Sequence, residues 1–174
     1  RSNKLDRRLT VDELREFLPR NLTYLSGLSP WPEYFGALPH SLKSLSCARP
    51  PTSLGKSRGE FKDTVVFPPN LTFLDMVLHQ NLKWTQFSGI TQLPLKTLNL
   101  ELPNDLSVSI IRNLPPSLTA LELSGYNLVA EDVYALGGYH KRIRSLRLQE
   151  FKANNFSSVL LPKSITYTNI RTDT

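Results

Sequence analysis

A single cysteine, Cys47, leaves 174 residues without the means to form an internal disulfide, so no cross-linked framework holds this chain together. Its scarcity fits a reducing, intracellular compartment as the default, with a secreted or delivered protein as the alternative. Glycine is also sparse, with 8 residues against 13 prolines. That balance speaks against flexible linkers and for many rigid turns of one kind. No apolar run approaches the roughly 18 residues of a membrane-spanning helix. The opening RSNKLDRRLT is charged and lacks the apolar stretch of a signal peptide.

The usual marks of catalysis are missing as well. His40, His79 and His140 have neither i,i+4 spacing nor cysteine neighbours, so no metal site is expected, and His40 and His140 read as surface turn residues. SLGKS at 53–57 has the end of a phosphate-binding loop, but the glycine required five residues earlier is replaced by Pro50. Cys47 falls where a core leucine recurs, which suits a small buried hydrophobe better than a nucleophile. The chain therefore reads as non-enzymatic and free of cofactors. Hydrophobic content of 40% and charged content of 21% are ordinary for a folded domain. The net charge of +6 is spread along the chain. N-x-S/T sequons occur at Asn21, Asn70 and Asn155, close to what this composition supplies by chance.

What the chain has in quantity is a recurring unit. LPRNLTYLSGL starts at Leu18, LPHSLKSLSC at Leu38, FPPNLTFLDMV at Phe67 and LPLKTLNLEL at Leu93. LPPSLTALELSG follows at Leu114, YHKRIRSLRLQEF at Tyr139 and LPKSITYTNI at Leu161. The first apolar position of each L-x-x-L-x-L falls at Leu22, Leu42, Leu71, Leu95, Leu118, Ile143 and Ile165, at intervals of 20, 29, 24, 23, 25 and 22 residues. Alternate side chains of an extended segment face opposite ways, so Leu121 and Leu123 share one side and Ala120 and Glu122 the other. One such rung cannot hide its leucines. Stacked rungs, paired in parallel, bury them in a common core. The proline heading each unit fixes φ and lacks a donor, so it suits a strand entrance and ends the preceding arc.

The pattern resembles the leucine-rich repeat family, in the proline-headed form similar to bacterial effector repeats and to some amoebal and viral repeat proteins. The likeness runs from about Leu18 to Ile170. It implies an α/β fold: a leucine-rich repeat solenoid of about seven repeats, with a parallel β-sheet on the concave face and irregular or short helical arcs on the convex face. It also implies a protein-binding scaffold. Effector relatives with ligase activity carry a separate catalytic domain with a reactive cysteine, and nothing here resembles that domain. An Asn-Leu or Asp-Leu pair roughly ten residues after the first leucine, at Asn81-Leu82, Asp105-Leu106 and Asn127-Leu128, would satisfy turn N–H groups as the chain leaves the strand. Pro32, Thr52 and Ala153 stand there in other repeats, so the arcs should vary.

Residues 1–17 are expected to form an N-terminal cap helix or the end of a preceding repeat, and 18–174 the repeats. In LTVDELREFLP, Thr10 and Glu13 make a capping-box pair, and Val11, Leu14 and Phe17 an apolar face. Helical arcs are expected in NDLSVSIIRNLP and VAEDVYALGG. The long interval holds a basic loop around 50–64. The last repeat, ITYTNIRTDT, either lies at an edge guarded by Arg171 and Asp173 or belongs to a longer protein, the reading preferred here.

Residues opposite the leucines form the candidate partner-binding face: Tyr24, Phe73, Asp75, Val77, Asn99, Glu101, Glu122, Arg147, Gln149 and Arg171. Leu28 falls on the same face by count. Exposed aromatics and arginines are the side chains that dominate protein interfaces, so the expected partner is another protein. The alternative is a nucleic acid or anionic surface held by Lys56, Arg58 and Lys62 of the loop and by Lys141, Arg142 and Arg144. Against it, no aromatic stacking platform adjoins the second group.

Overall fold

The computed structural model describes residues 9–29, 31–48, 64–78, 84–102, 109–124, 136–138, 140–151, 161 and 163–172. Outside these lie Lys56, Arg58 and Lys62, the GKS stretch, most of the 50–64 loop, His79, Asp173, and the sequon at Asn155. The Asn81-Leu82, Asp105-Leu106 and Asn127-Leu128 pairs lie outside them too, with Thr52 and Ala153.

Seven strands form one sheet in sequence order, every neighbouring pair parallel. They are β1 Tyr24–Leu28, β2 Ser44–Cys47, β3 Phe73–Val77, β4 Thr97–Glu101, β5 Ala120–Ser124, β6 Ser145–Phe151 and β7 Tyr167–Thr172. Register is kept from rung to rung. Leu25, Leu45, Leu74, Leu98, Leu121 and Leu146 stand opposite one another in turn, and Thr168 ends the row. The central members of that row are fully buried, whereas Leu25 is only partly covered at the first strand. A second buried row holds Met76, Leu100, Leu123 and Leu148, and a third the first leucines Leu42, Leu71, Leu95 and Leu118 with Ile143. The architecture is a leucine-rich-repeat-like solenoid.

The strand entrance explains the proline. Leu22, Leu42, Leu71 and Leu118 each donate their N–H to the carbonyl of the proline three residues earlier, Pro19, Pro39, Pro68 and Pro115. The proline is thus the first residue of a turn in which its missing N–H costs nothing. One residue after the leucine, a single carbonyl receives two N–H groups of the next rung: Thr23 takes those of Lys43 and Ser44 at 2.9 and 3.0 Å. The same arrangement recurs at every step to Arg144, which takes those of Thr166 and Tyr167. Ser41 and Ser117 reinforce it, each donating its hydroxyl to carbonyls of the preceding repeat, at 2.7 Å to Leu22 and Leu95.

The arcs are short and irregular. They contain α2 Pro32–Phe35, a run of 3-10 turns over Trp84–Gln92, α3 Ser109–Arg112, and helical residues 136–138. Of the two arcs expected to be helical, only these last parts are described. Phe35 stacks against Phe67 at 4.9 Å between ring centroids, and Phe67 against Phe87 at 6.1 Å, so aromatic packing ties successive arcs together.

Ahead of the repeats, α1 Val11–Phe17 carries the expected capping box: Thr10 Oγ1 accepts from the Glu13 N–H, and the Glu13 carboxylate accepts from the Thr10 N–H. Leu14 is buried and Val11 partly so. Phe17 departs from the expected face and is 72% exposed. Two i+3 steps rotate it well away from Val11 around the helix, and Leu18, one turn after Leu14, takes the place against the core. Tyr34 donates its hydroxyl to the Leu9 carbonyl at 2.6 Å, fastening α2 to the chain before α1.

His140 corrects the sequence reading. It was expected at the surface, yet it is 5% exposed. It occupies the proline position of its repeat, where Pro68 and Pro115 are also buried, and its carbonyl accepts the N–H of Ile143 as theirs do for Leu71 and Leu118.

Candidate functional site

The leucines commit one side of the sheet to the core, so the other side presents the intervening residues in parallel rows. The first row runs Tyr24, Ser44, Phe73, Thr97, Ala120, Ser145, Tyr167. The second runs Ser26, Ser46, Asp75, Asn99, Glu122, Arg147, Asn169. The third, at the strand exits, holds Val77, Glu101, Ser124 and Gln149. Tyr24 and Tyr167 are 59% and 49% exposed, and the residues between them are partly exposed. Arg171 lies on β7, and its side chain is outside the description.

Leu28 is the exception. Gly27 adopts φ 76, and the register shifts there so that Leu28 pairs with Cys47. One extra residue in the strand turns every later side chain over. Leu28 therefore joins the partly buried residues packed on the core instead of the open face, contrary to the count from the first leucine.

Six of the expected residues line one hollow of about 310 Å³ at the strand exits: Asp75, Val77, Asn99, Glu101, Glu122 and Gln149. Cys47, Leu100 and Ser124 complete its wall. Tyr24, Phe73 and Arg147 stand outside it on the same face. The three carboxylates give the hollow an acidic character. Ser46 donates to Asp75 Oδ2 at 2.8 Å. Glu122 accepts from Gln149 Nε2 at 2.5 Å and from Arg147 Nη1 at 3.3 Å. Arg147 also bonds Tyr167, which together with Glu122 holds its guanidinium above the ordinary arginine range. These contacts link β2 to β3 and β5 through β7, so the polar side chains are positioned across strands.

Burial, reinforced by the nearby Asp75 charge, pushes the Cys47 thiol up to about 12. It is therefore held in the neutral form, which is neither the nucleophile nor the metal ligand. Among the described residues no group of three His, Cys, Asp or Glu is placed to hold a metal ion. No helix among them is long and apolar enough to cross a membrane.

The alternative basic site is only partly described. Lys141, Arg142 and Arg144 are exposed together in the turn before β6. The Tyr167 N–H bonds the Arg144 carbonyl at 3.1 Å, while its side chain bonds Arg147 on the open face. Asn21 and Asn70 are exposed, and the Asn70 amide donates to the His40 carbonyl at 2.8 Å. Cys47, Leu100 and Ser124 were not among the expected site residues. The alignment of repeats carried the signal for all three, because Cys47 and Ser124 end their strands and Leu100 stands one residue before the end of β4.

No family model matches the chain, and no curated protein does. Among solved structures it is similar to CroV588, a circular LRR protein, at 17% identity, with 88% of this chain and 27% of that chain covered and a TM-score of 0.33.

Proposed function

We propose that the chain is a protein-interaction module that holds a partner on the open face of its sheet. The observation that carries this reading is the pairing of seven parallel strands in one sheet, in unshifted register from β2 to β6, which merges separate rungs into one surface. On it, aromatic side chains at Tyr24, Phe73 and Tyr167 flank a hollow with placed hydrogen-bonding groups. Buried aromatics and arginines supply most of the binding energy at such surfaces, while fixed polar groups supply selectivity. Partner capture by the full chain, compared with Phe73→Ala and Glu122→Arg variants of unchanged melting temperature, tests the reading. Loss of a partner with either substitution supports it, and retention of every partner by both removes it.

A second reading, nucleic-acid or anionic-surface binding, is favoured by Lys141, Arg142 and Arg144, exposed together in one turn. It requires binding that weakens steeply as salt rises, because phosphate contacts release counterions.

A further inference from the structure

The strand entrances alternate. At the two positions after the first apolar residue, β1, β3, β5 and β7 read TY, TF, TA and TY, whereas β2, β4 and β6 read KS, KT and RS. The threonines have an internal use. Thr72, Thr119 and Thr166 donate their hydroxyls to the carbonyls of Lys43, Lys96 and Arg144 at 3.1, 3.1 and 3.2 Å. The basic side chains have none: Lys43, Lys96 and Arg144 are exposed, and their side chains make no ion pair or hydrogen bond among the described residues. The fold explains one half of the alternation and leaves the other half facing outward.

Parallel strands lie about 4.8 Å apart, so these cations recur at about 9.6 Å across the sheet. A polyproline-II helix rises about 3.1 Å per residue with three residues per turn, so every third side chain returns to one side after about 9.3 Å. The two periods agree closely enough to stay in step over three cations. An extended β-segment covers a similar distance in three residues, but its residues i and i+3 face opposite ways. Tyr24 and Tyr167, on the strands that flank the three cations, are exposed, and Phe73, on the strand between Lys43 and Lys96, is partly so; aromatic rings are the surfaces on which polyproline-II segments dock. The acidic hollow lies about 10 Å along the same strands, by the rise of three residues. It disfavours a ligand charged at every unit more than one charged at every third.

We infer that the strand-entry edge of the open face binds a polyproline-II segment of a partner protein with an acidic side chain at every third position. This rests on the open face being a protein-binding surface and specifies what that surface takes.

Fluorescence anisotropy with the full chain tests it, using a labelled peptide of Glu-Pro-Pro triplets. The comparisons are a peptide of the same composition with its glutamates in one block, a Gln-Pro-Pro peptide, and single-stranded oligothymidine. The triplet peptide is expected to bind best, by about tenfold over the others, as three exposed ion pairs allow. Lys96→Glu is expected to cost about tenfold while thermal melting stays unchanged. Equal binding of the blocked peptide, tighter binding of the oligonucleotide, no binding of the triplet peptide, or an unaffected Lys96→Glu variant each overturns the inference. Should the triplet peptide fail while partner capture still depends on Phe73 and Glu122, only this inference falls and the open-face reading stands.

Discussion

Leu28 stands opposite Cys47 because Gly27, at φ 76, absorbs one extra residue in β1. Nothing lies within 4 Å of a Cβ added at Gly27, so space is not the constraint there. The constraint is the left-handed backbone. Gly27→Ala is expected to destabilise the protein by about 1 kcal/mol in urea unfolding. Gly36→Ala is the control, since Gly36 has equal space and an ordinary right-handed backbone, and it should not be destabilising. Equal losses at both positions contradict the assignment of the bulge to Gly27.

Position along the stack should set the cost of a core deletion. Leu98 is fully buried between rungs on both sides, and Leu25 is partly covered at the first strand. Leu98→Ala is expected to cost about 2–5 kcal/mol, and Leu25→Ala clearly less, because a half-open site leaves no sealed cavity. Urea midpoints of the two variants check the order, and a larger loss at Leu25 contradicts it.

His140 makes stability depend on pH. Burial lowers its pKa below the usual 6.5, against the opposing effect of its bond to the Ile111 carbonyl at 2.6 Å. That bond requires Nε2 to carry the proton, which leaves Nδ1 as an acceptor with no partner. In this window the unfolded chain binds the proton more readily than the folded one. Stability is therefore fully present above 6.5 and falls as pH drops from 6.5 towards the lower folded value. A His140→Gln variant should lose that part of the pH dependence, as read from melting temperature against pH. An unchanged profile contradicts the buried neutral state.

Cys47 should react with thiol reagents slowly in the native protein and rapidly once unfolded. Its thiol is held up to about 12, first by burial and then by Asp75. Asp75→Asn should raise the native labelling rate modestly and leave the unfolded rate unchanged. Native labelling as fast as that of the unfolded chain contradicts this environment.

Much of the fold was legible in the chain. L-x-x-L-x-L at near-constant spacing placed Leu74, Leu98, Leu121 and Leu146 on successive levels, and the structure aligns them. The Thr10–Glu13 cap was equally plain, because both of its bonds are made within one helical turn. The open-face row of Asp75, Asn99, Glu122 and Arg147 followed from counting by two. Counting failed at Leu28, where a glycine changed the count, and at Phe17, where helical drift mattered more than spacing. Local turn chemistry places His140 at the surface, whereas it fills the position that a buried proline holds in the repeats of Pro68 and Pro115.

Apart from Leu28 beyond the Gly27 bulge, the chain alone assigns strand side chains to the core or to the open face, since alternation along a strand is a local rule. Which polar groups on that face meet is set by the stacking of the rungs: Ser46 with Asp75, and Glu122 with Arg147 and Gln149. Those partners come from different repeats. Their meeting depends on register between strands far apart in the chain, and that register exists only once the rungs have stacked.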